Sequence, residues 1–207
     1  PRIKLATDIV EDIVGHKVVS WRCPRLFGGT HVTNALESLG YECDATYPMY
    51  YYNEQLFPYH PSQENWTEQG SLNLIEIVQF ADMAMESKDA YGRDKDQWPL
   101  YRIKSTVAFI PHIESFMSYV EKNDQSQKPI VLCFYFHPWE FWEMPEGVIH
   151  FGEGRVLPDP FLVKGCGKYC LKQVELLIDW LKSKEAVFLT AGQCARKWHE
   201  ILAIQEI

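Results

Sequence analysis

The residue best placed to move a proton is His137. It follows the run Ile130 to Phe136 in IVLCFYFHPWEFW, seven consecutive apolar or aromatic residues, which suits a strand covered on both faces in a parallel sheet. Pro138 offers no N–H and restricts the residue before it, so the predicted ladder stops there and leaves His137 at the strand's carboxyl end. In open α/β sheets and α/β barrels that end carries the chemistry, and imidazoles as a class suit acid or base work near neutral pH. A histidine so placed can equally be a packed residue with one backbone hydrogen bond, so other residues have to decide.

Three charged residues stand at similar places. Arg22 follows the short β-type run Val18 to Trp21 and precedes Cys23-Pro24, Asp44 closes the predicted strand Tyr41 to Asp44, and Glu76 is the one acid inside the apolar run Leu72 to Val78. Trp139, Phe141, Trp142 and Phe151 lie in the loop 139–165, where aromatic faces could stack on sugar rings; burial preference alone favours a core role for residues so dense.

The elements that must position these groups alternate. Apolar residues at helical spacing predict a helix over 3–14 stopped by Gly15, and 30–39 reads as a helix closed by Gly40. Further helices are predicted over 111–122 and 168–182, and Ala186 to Leu189 reads as a last strand. Thr190 to Gln193 has the spacing of a capping box that opens a closing helix. Alternation of this kind predicts right-handed βαβ units and a mostly parallel sheet or barrel. Insertions are predicted at about 46–71, 82–108 and 139–165: the first is rich in Tyr and Pro and long enough to suggest a functional loop, and the second is highly charged and reads as solvated.

At 207 residues, with 46% hydrophobic and 23% charged, the sequence predicts one globular domain over 1–207 with one substantial core. A net charge of −8 leaves no Lys/Arg stripe for phosphates, so nucleic acid is not an expected partner. No stretch is long and apolar enough to predict a membrane span, and nothing in the segment reads as an export signal, so the compartment stays open. The six cysteines lack the spacing of a disulfide framework or a zinc knuckle and read as reduced, structural thiols.

In order along the chain, Arg22 before Cys23-Pro24, Gly40-Tyr41, Leu74-Ile75-Glu76-Ile77 and His137-Pro138 resemble the polysaccharide deacetylase family, the metal-dependent, chitooligosaccharide-deacetylase-like carbohydrate esterases. The resemblance implies a distorted (β/α) barrel with its active site at the carboxyl ends of the strands. It implies that His137 is the general acid that protonates a leaving nitrogen and that Arg22 orients an aspartate. It also implies that Asp44 is the carboxylate that positions the His137 ring, although the tryptophan that follows this aspartate in the family is missing. Trp139, Trp142 and Glu76 complete the candidate site as substrate contacts. Expected substrates are an N-acetylated sugar or polysaccharide, or a small amide or ureide; the alternative is a metal-free, inactive relative that binds glycans or serves as a structural subunit.

The family's divalent metal, zinc or a similar ion, is held by an early Asp-Asp motif and a His-x-x-x-His. Neither is present in the matching position, and the seven histidines contain no i, i+4 pair. In the family both motifs precede the helix that leads to Arg-x-Pro. The resemblance therefore implies that the metal ligands and the opening strands lie upstream of Pro1 or on a second chain, and that unpaired strand edges result when this segment stands alone.

Overall fold

Helices form where the apolar spacing and caps place them, whereas strands form only partly. A computed structural model describes residues 1–97, 100–145 and 147–205; positions 98, 99 and 146, in two of the predicted insertions, lie outside the described residues. Helix α1 (Arg2–Val14) ends at Gly15, whose φ of 75° puts it in the left-handed region that glycine adopts without a Cβ penalty. Its apolar stripe is only partly used. Ile3 packs near Leu36 and Tyr41 and Thr7 Oγ1 lies 2.7 Å from Tyr41 Oη, while Ile9 and Ile13 stay exposed.

Strands β1 (Ser20–Trp21), β2 (Cys43–Asp44) and β3 (Ile75–Glu76) form a parallel sheet in that order, with α2 (Thr30–Ser38) crossing over between the first two. The register aligns Trp21 with Asp44 and Asp44 with Glu76. Because side chains alternate across a strand, this register divides the sheet chemically. Cys43, Ala45, Ile75 and Ile77 pack against Ala195 and Trp198, whereas Asp44 and Glu76 share the opposite face.

The stretch 46–71 contains α3 (Met49–Tyr52) and sends Tyr47, Tyr59 and Trp66 into the main core with Phe80, Phe109 and Phe116. Each such side chain contributes roughly 1.5–3 kcal/mol when fully buried, so much of this stretch is packing. Within 82–108, Asp82, Met83, Tyr101 and Arg102 are buried, a correction to the solvated reading: charge count reports polarity, not whether a partner waits in the interior. After α4 (Leu100–Ile103), helix α5 (Thr106–Asn123) begins earlier than predicted because Ser105 Oγ accepts the Ala108 N–H at 3.2 Å. Pro111 is tolerated inside it.

The loop after 141 carries an antiparallel hairpin, β4 (Ile149–Phe151) with β5 (Gly154–Val156), then α6 (Pro160–Val163). Helices α7 (Lys168–Ser183) and α8 (Ala191–Gln205) follow. The predicted capping box is present: Thr190 Oγ1 accepts the Gln193 N–H at 3.2 Å, and Gln193 Oε1 accepts the Thr190 N–H at 2.9 Å. All six cysteines are free.

The protein is thus mixed α/β. No sheet closes among the described residues, and the two remaining predicted strands differ from expectation. Residues 130–136 and 186–189 join no ladder; the first is tied to the sheet's continuation by the Phe80 N–H, which donates to Cys133 O at 3.0 Å. Apolar composition predicts cover, and here it is only partial: 130–135 are half-buried by side chains without a paired neighbour, whereas Val187, Phe188 and Leu189 stay exposed. Between these segments and α8 lies a groove of about 620 Å³, lined by Arg22, Ile77, Val131, Phe188 and Trp198 among others.

Candidate functional site

Two polar constellations lie in the region where the sequence places chemistry. The first sits at the carboxyl ends of β1–β3. Arg22 leaves β1 and spends its guanidinium on Ala45 O (2.8 Å), Phe134 O (3.4 Å) and Cys133 Sγ (3.2 Å), so it ties three chain segments together. Gln79 Nε2 donates to the same Ala45 O at 2.6 Å.

On the other face, Asp44 and Glu76 are fully buried neighbours. Asp44 Oδ1 accepts the Thr46 hydroxyl, and Glu76 Oε1 accepts the N–H groups of Thr46 (3.0 Å) and Tyr47 (2.7 Å). Asp44 Oδ2 and Glu76 Oε2 have no hydrogen-bond partner. Burial pushes the Asp44 carboxyl up to about 7, against the lowering effect of Thr46, the Ala45 amide and Arg22. Glu76 is held well above the usual carboxylate range by burial first and the neighbouring Asp44 charge second. Two acids this close and this dry favour a state in which at least one keeps its proton.

The second constellation surrounds His137. A single 3₁₀ turn, Pro138–Phe141, follows it and brings Glu140 back under the ring. His137 Nδ1 lies 2.8 Å from Glu140 Oε1, and the His137 N–H donates to that oxygen at 3.3 Å. Glu140 is 1% exposed, while the His137 side chain is 52% exposed. The Tyr101 hydroxyl donates to Glu140 Oε2 at 2.5 Å, and Arg102 Nε stands 3.4 Å from the same oxygen, an ion pair without hydrogen-bond geometry.

Arg102 is itself fixed by Lys164 O (2.5 Å) and Phe161 O (3.2 Å). Gly165, with φ of 71°, lets the chain pass over Arg102, because a Cβ there would collide with the Arg102 carbonyl. The His137 ring stacks on Trp139 with centroids 5.2 Å apart, and the Arg102 guanidinium lies 5.4 Å from a Trp139 ring centroid.

The structure therefore separates residues that the resemblance groups. Arg22 bonds to Phe134, three positions before His137, but no hydrogen bond joins the two side chains among the described residues. No hydrogen bond joins Asp44 to His137 among the described residues: Asp44 Oδ1 accepts from Thr46, and it is Glu140 Oε1 that lies against the His137 Nδ1. Glu76 is buried and reaches no surface. Of the aromatic candidates, Trp139 belongs to the His137 cluster and Trp142 is 75% exposed. Glu140 was legible as an i, i+3 partner in His-Pro-Trp-Glu, the spacing by which a carboxylate at the third position returns to the residue that starts a turn.

Among the described residues no three His, Cys, Asp or Glu side chains come together as a metal-binding group. In the Asp44–Glu76 pair one oxygen of each carboxyl accepts from protein amides or a hydroxyl, and the other has no hydrogen-bond partner. No helix among the described residues is long and apolar enough to cross a membrane. Comparison with family models, with curated proteins and with solved structures finds no match to this chain.

Proposed function

We propose that the chain is part of a metal-dependent hydrolase of a non-peptide C–N bond, a deacetylase of N-acetylated sugar or polysaccharide. The observation that supports this reading is His137: it ends an apolar extended run, its Nδ1 faces a buried carboxylate, and the rest of its ring is open to solvent. In the reaction, water adds to the amide carbonyl carbon, giving up one proton to the aspartate base that the resemblance implies, and the C–N bond breaks. The nitrogen takes the bonding pair and a proton from His137, and leaves as an amine with a carboxylic acid as the second product. A divalent metal, zinc or similar, would polarise the carbonyl and the attacking water, held by residues outside this chain.

In this reading β1–β3, residues 130–136 and residues 186–189 are staves of a distorted (β/α) barrel completed by a further segment or a second chain. The exposed apolar residues of α1 and of 187–189 are the surface such a segment would cover. Arg22 would then serve the site from beneath, holding the Cys133 thiol and the Phe134 carbonyl to the sheet.

The test is amine release from an N-acetylated chitooligosaccharide by the full-length protein. His137→Ala is expected to lower turnover by about two to four orders of magnitude with metal content unchanged. Loss of metal in that variant would make His137 a ligand and overturn its role as acid. A second reading, a glycan-binding protein without catalysis, is favoured by the exposed Trp142 and the His137–Trp139 stack; oligosaccharide binding without amine release would select it.

A further inference from the structure

The contacts of Glu140 carry more than the placement of a ring. Resting on the hydrolase reading, we propose that Glu140 is the positioning residue that fixes His137 with its proton on Nδ1, so that Nε2 is the atom that delivers a proton to the leaving nitrogen. A carboxylate can only accept, and Oε1 at 2.8 Å from Nδ1 selects the Nδ1–H form of the ring. The imidazolium gives up its Nε2 proton as the C–N bond breaks and is left as the neutral Nδ1–H tautomer, already paired with Glu140.

The carboxylate cannot swing away to release this choice. Its main chain is anchored at both sides: the Glu140 N–H donates to His137 O at 2.9 Å, and Glu140 O accepts the Gly167 N–H at 2.9 Å. Its second oxygen is held by Tyr101 at 2.5 Å and faces the buried Arg102 at 3.4 Å. Trp139 then closes the ring's other freedom, with one imidazole and one guanidinium against the same indole. Among the described residues Tyr135 also meets the ring, edge-on at 5.8 Å, and its hydroxyl donates to Asp96 at 2.7 Å. Positioning of this kind works through another group: it fixes tautomer and direction and touches no substrate.

The deciding measurement is the 15N spectrum of the imidazole rings in the full-length protein, with His137 assigned by its loss in His137→Asn. The expected result is neutral His137 as the Nδ1–H tautomer, with that preference lost in Glu140→Gln. Glu140→Gln is also expected to lower kcat on an N-acetylated chitooligosaccharide by about two orders of magnitude while KM stays within about twofold, and Glu140→Asp to recover part of the loss.

A wild-type protein with the proton on Nε2 overturns the assignment without any variant having to fold. A folded Glu140→Gln protein with unchanged kcat overturns it too. If the wild type releases no amine, the hydrolase reading fails, and the tautomer still decides whether Glu140 orients the ring.

Discussion

Glu140 and the Asp44–Glu76 pair are both buried acids near the carboxyl ends of extended segments, yet they are built in opposite ways. Glu140 has a cation, a phenol and an imidazole around it. Asp44 and Glu76 have each other, a hydroxyl and backbone amides, and one orphan oxygen apiece. Burying a carboxylate is tolerable when opposite charge and donors surround it, and burying two together favours proton retention. The first arrangement preserves a directional acceptor, which is what orienting a histidine requires. The second gives a buried floor under the sheet in which at least one carboxyl keeps its proton.

The largest effect should come from unbalancing the first region. Arg102→Met leaves Glu140 buried beside a phenol and no cation, and is expected to cost about 3–5 kcal/mol in urea unfolding. Adding Glu140→Gln to that variant should recover a good part of it, because a buried pair replaced by neutral groups is often close to neutral in stability. Additive losses in the double variant would mean that the ion pair is not what holds this corner.

The second region should reveal itself through pH. The Asp44 carboxyl rises from an ordinary 3.8 to about 7 on folding, so between these values the unfolded chain has lost a proton that the folded chain keeps. Stability therefore falls as pH rises from about 4 to 7 and levels off above, by at most about 4 kcal/mol from this group. Asp44→Asn should remove that slope and gain on the wild type as pH rises. Parallel stability profiles for the two proteins from pH 4 to 8 would show that Asp44 ionises as easily folded as unfolded.

A third change calibrates both. Thr190→Ala removes an exposed helix cap with no buried charge near it and should cost about 1 kcal/mol, independent of pH over the same range. A pH-dependent loss at Thr190 would point to a global electrostatic effect and weaken the contrast between the two acid sites.

Much of this was written locally in the chain. Helices α1, α2, α7 and α8 follow from apolar spacing, from Gly15 and Gly40, and from the Thr190–Gln193 box, all of which act within a few residues. Strand pairing does not act locally. Ile130 to Phe136 has the composition of a central strand, but a ladder needs a neighbour at the right register, and no short stretch of sequence states which neighbour it has. The site divides in the same way. His137 was marked by Pro138, whereas Arg102 and Tyr101 lay in a stretch whose charge suggested solvent, and only the interior contacts with Glu140 reveal why they are buried. Asp44 is assigned to His137 by resemblance, and the hydroxyl from which it accepts a hydrogen bond, that of Thr46, lies two residues away.

The extended segments have one more consequence. No acceptor among the described residues takes the amide N–H groups of Ile130 to Cys133 or of Val187 to Leu189. Apolarity and slow deuterium uptake usually coincide, because core strands are also hydrogen-bonded strands. In this chain they come apart. Residues 130–133 and 187–189 should take up deuterium on the timescale of loops, while Phe109 and Phe116 on α5 hold theirs. If a completing strand docks on them, those seven amides should become protected together.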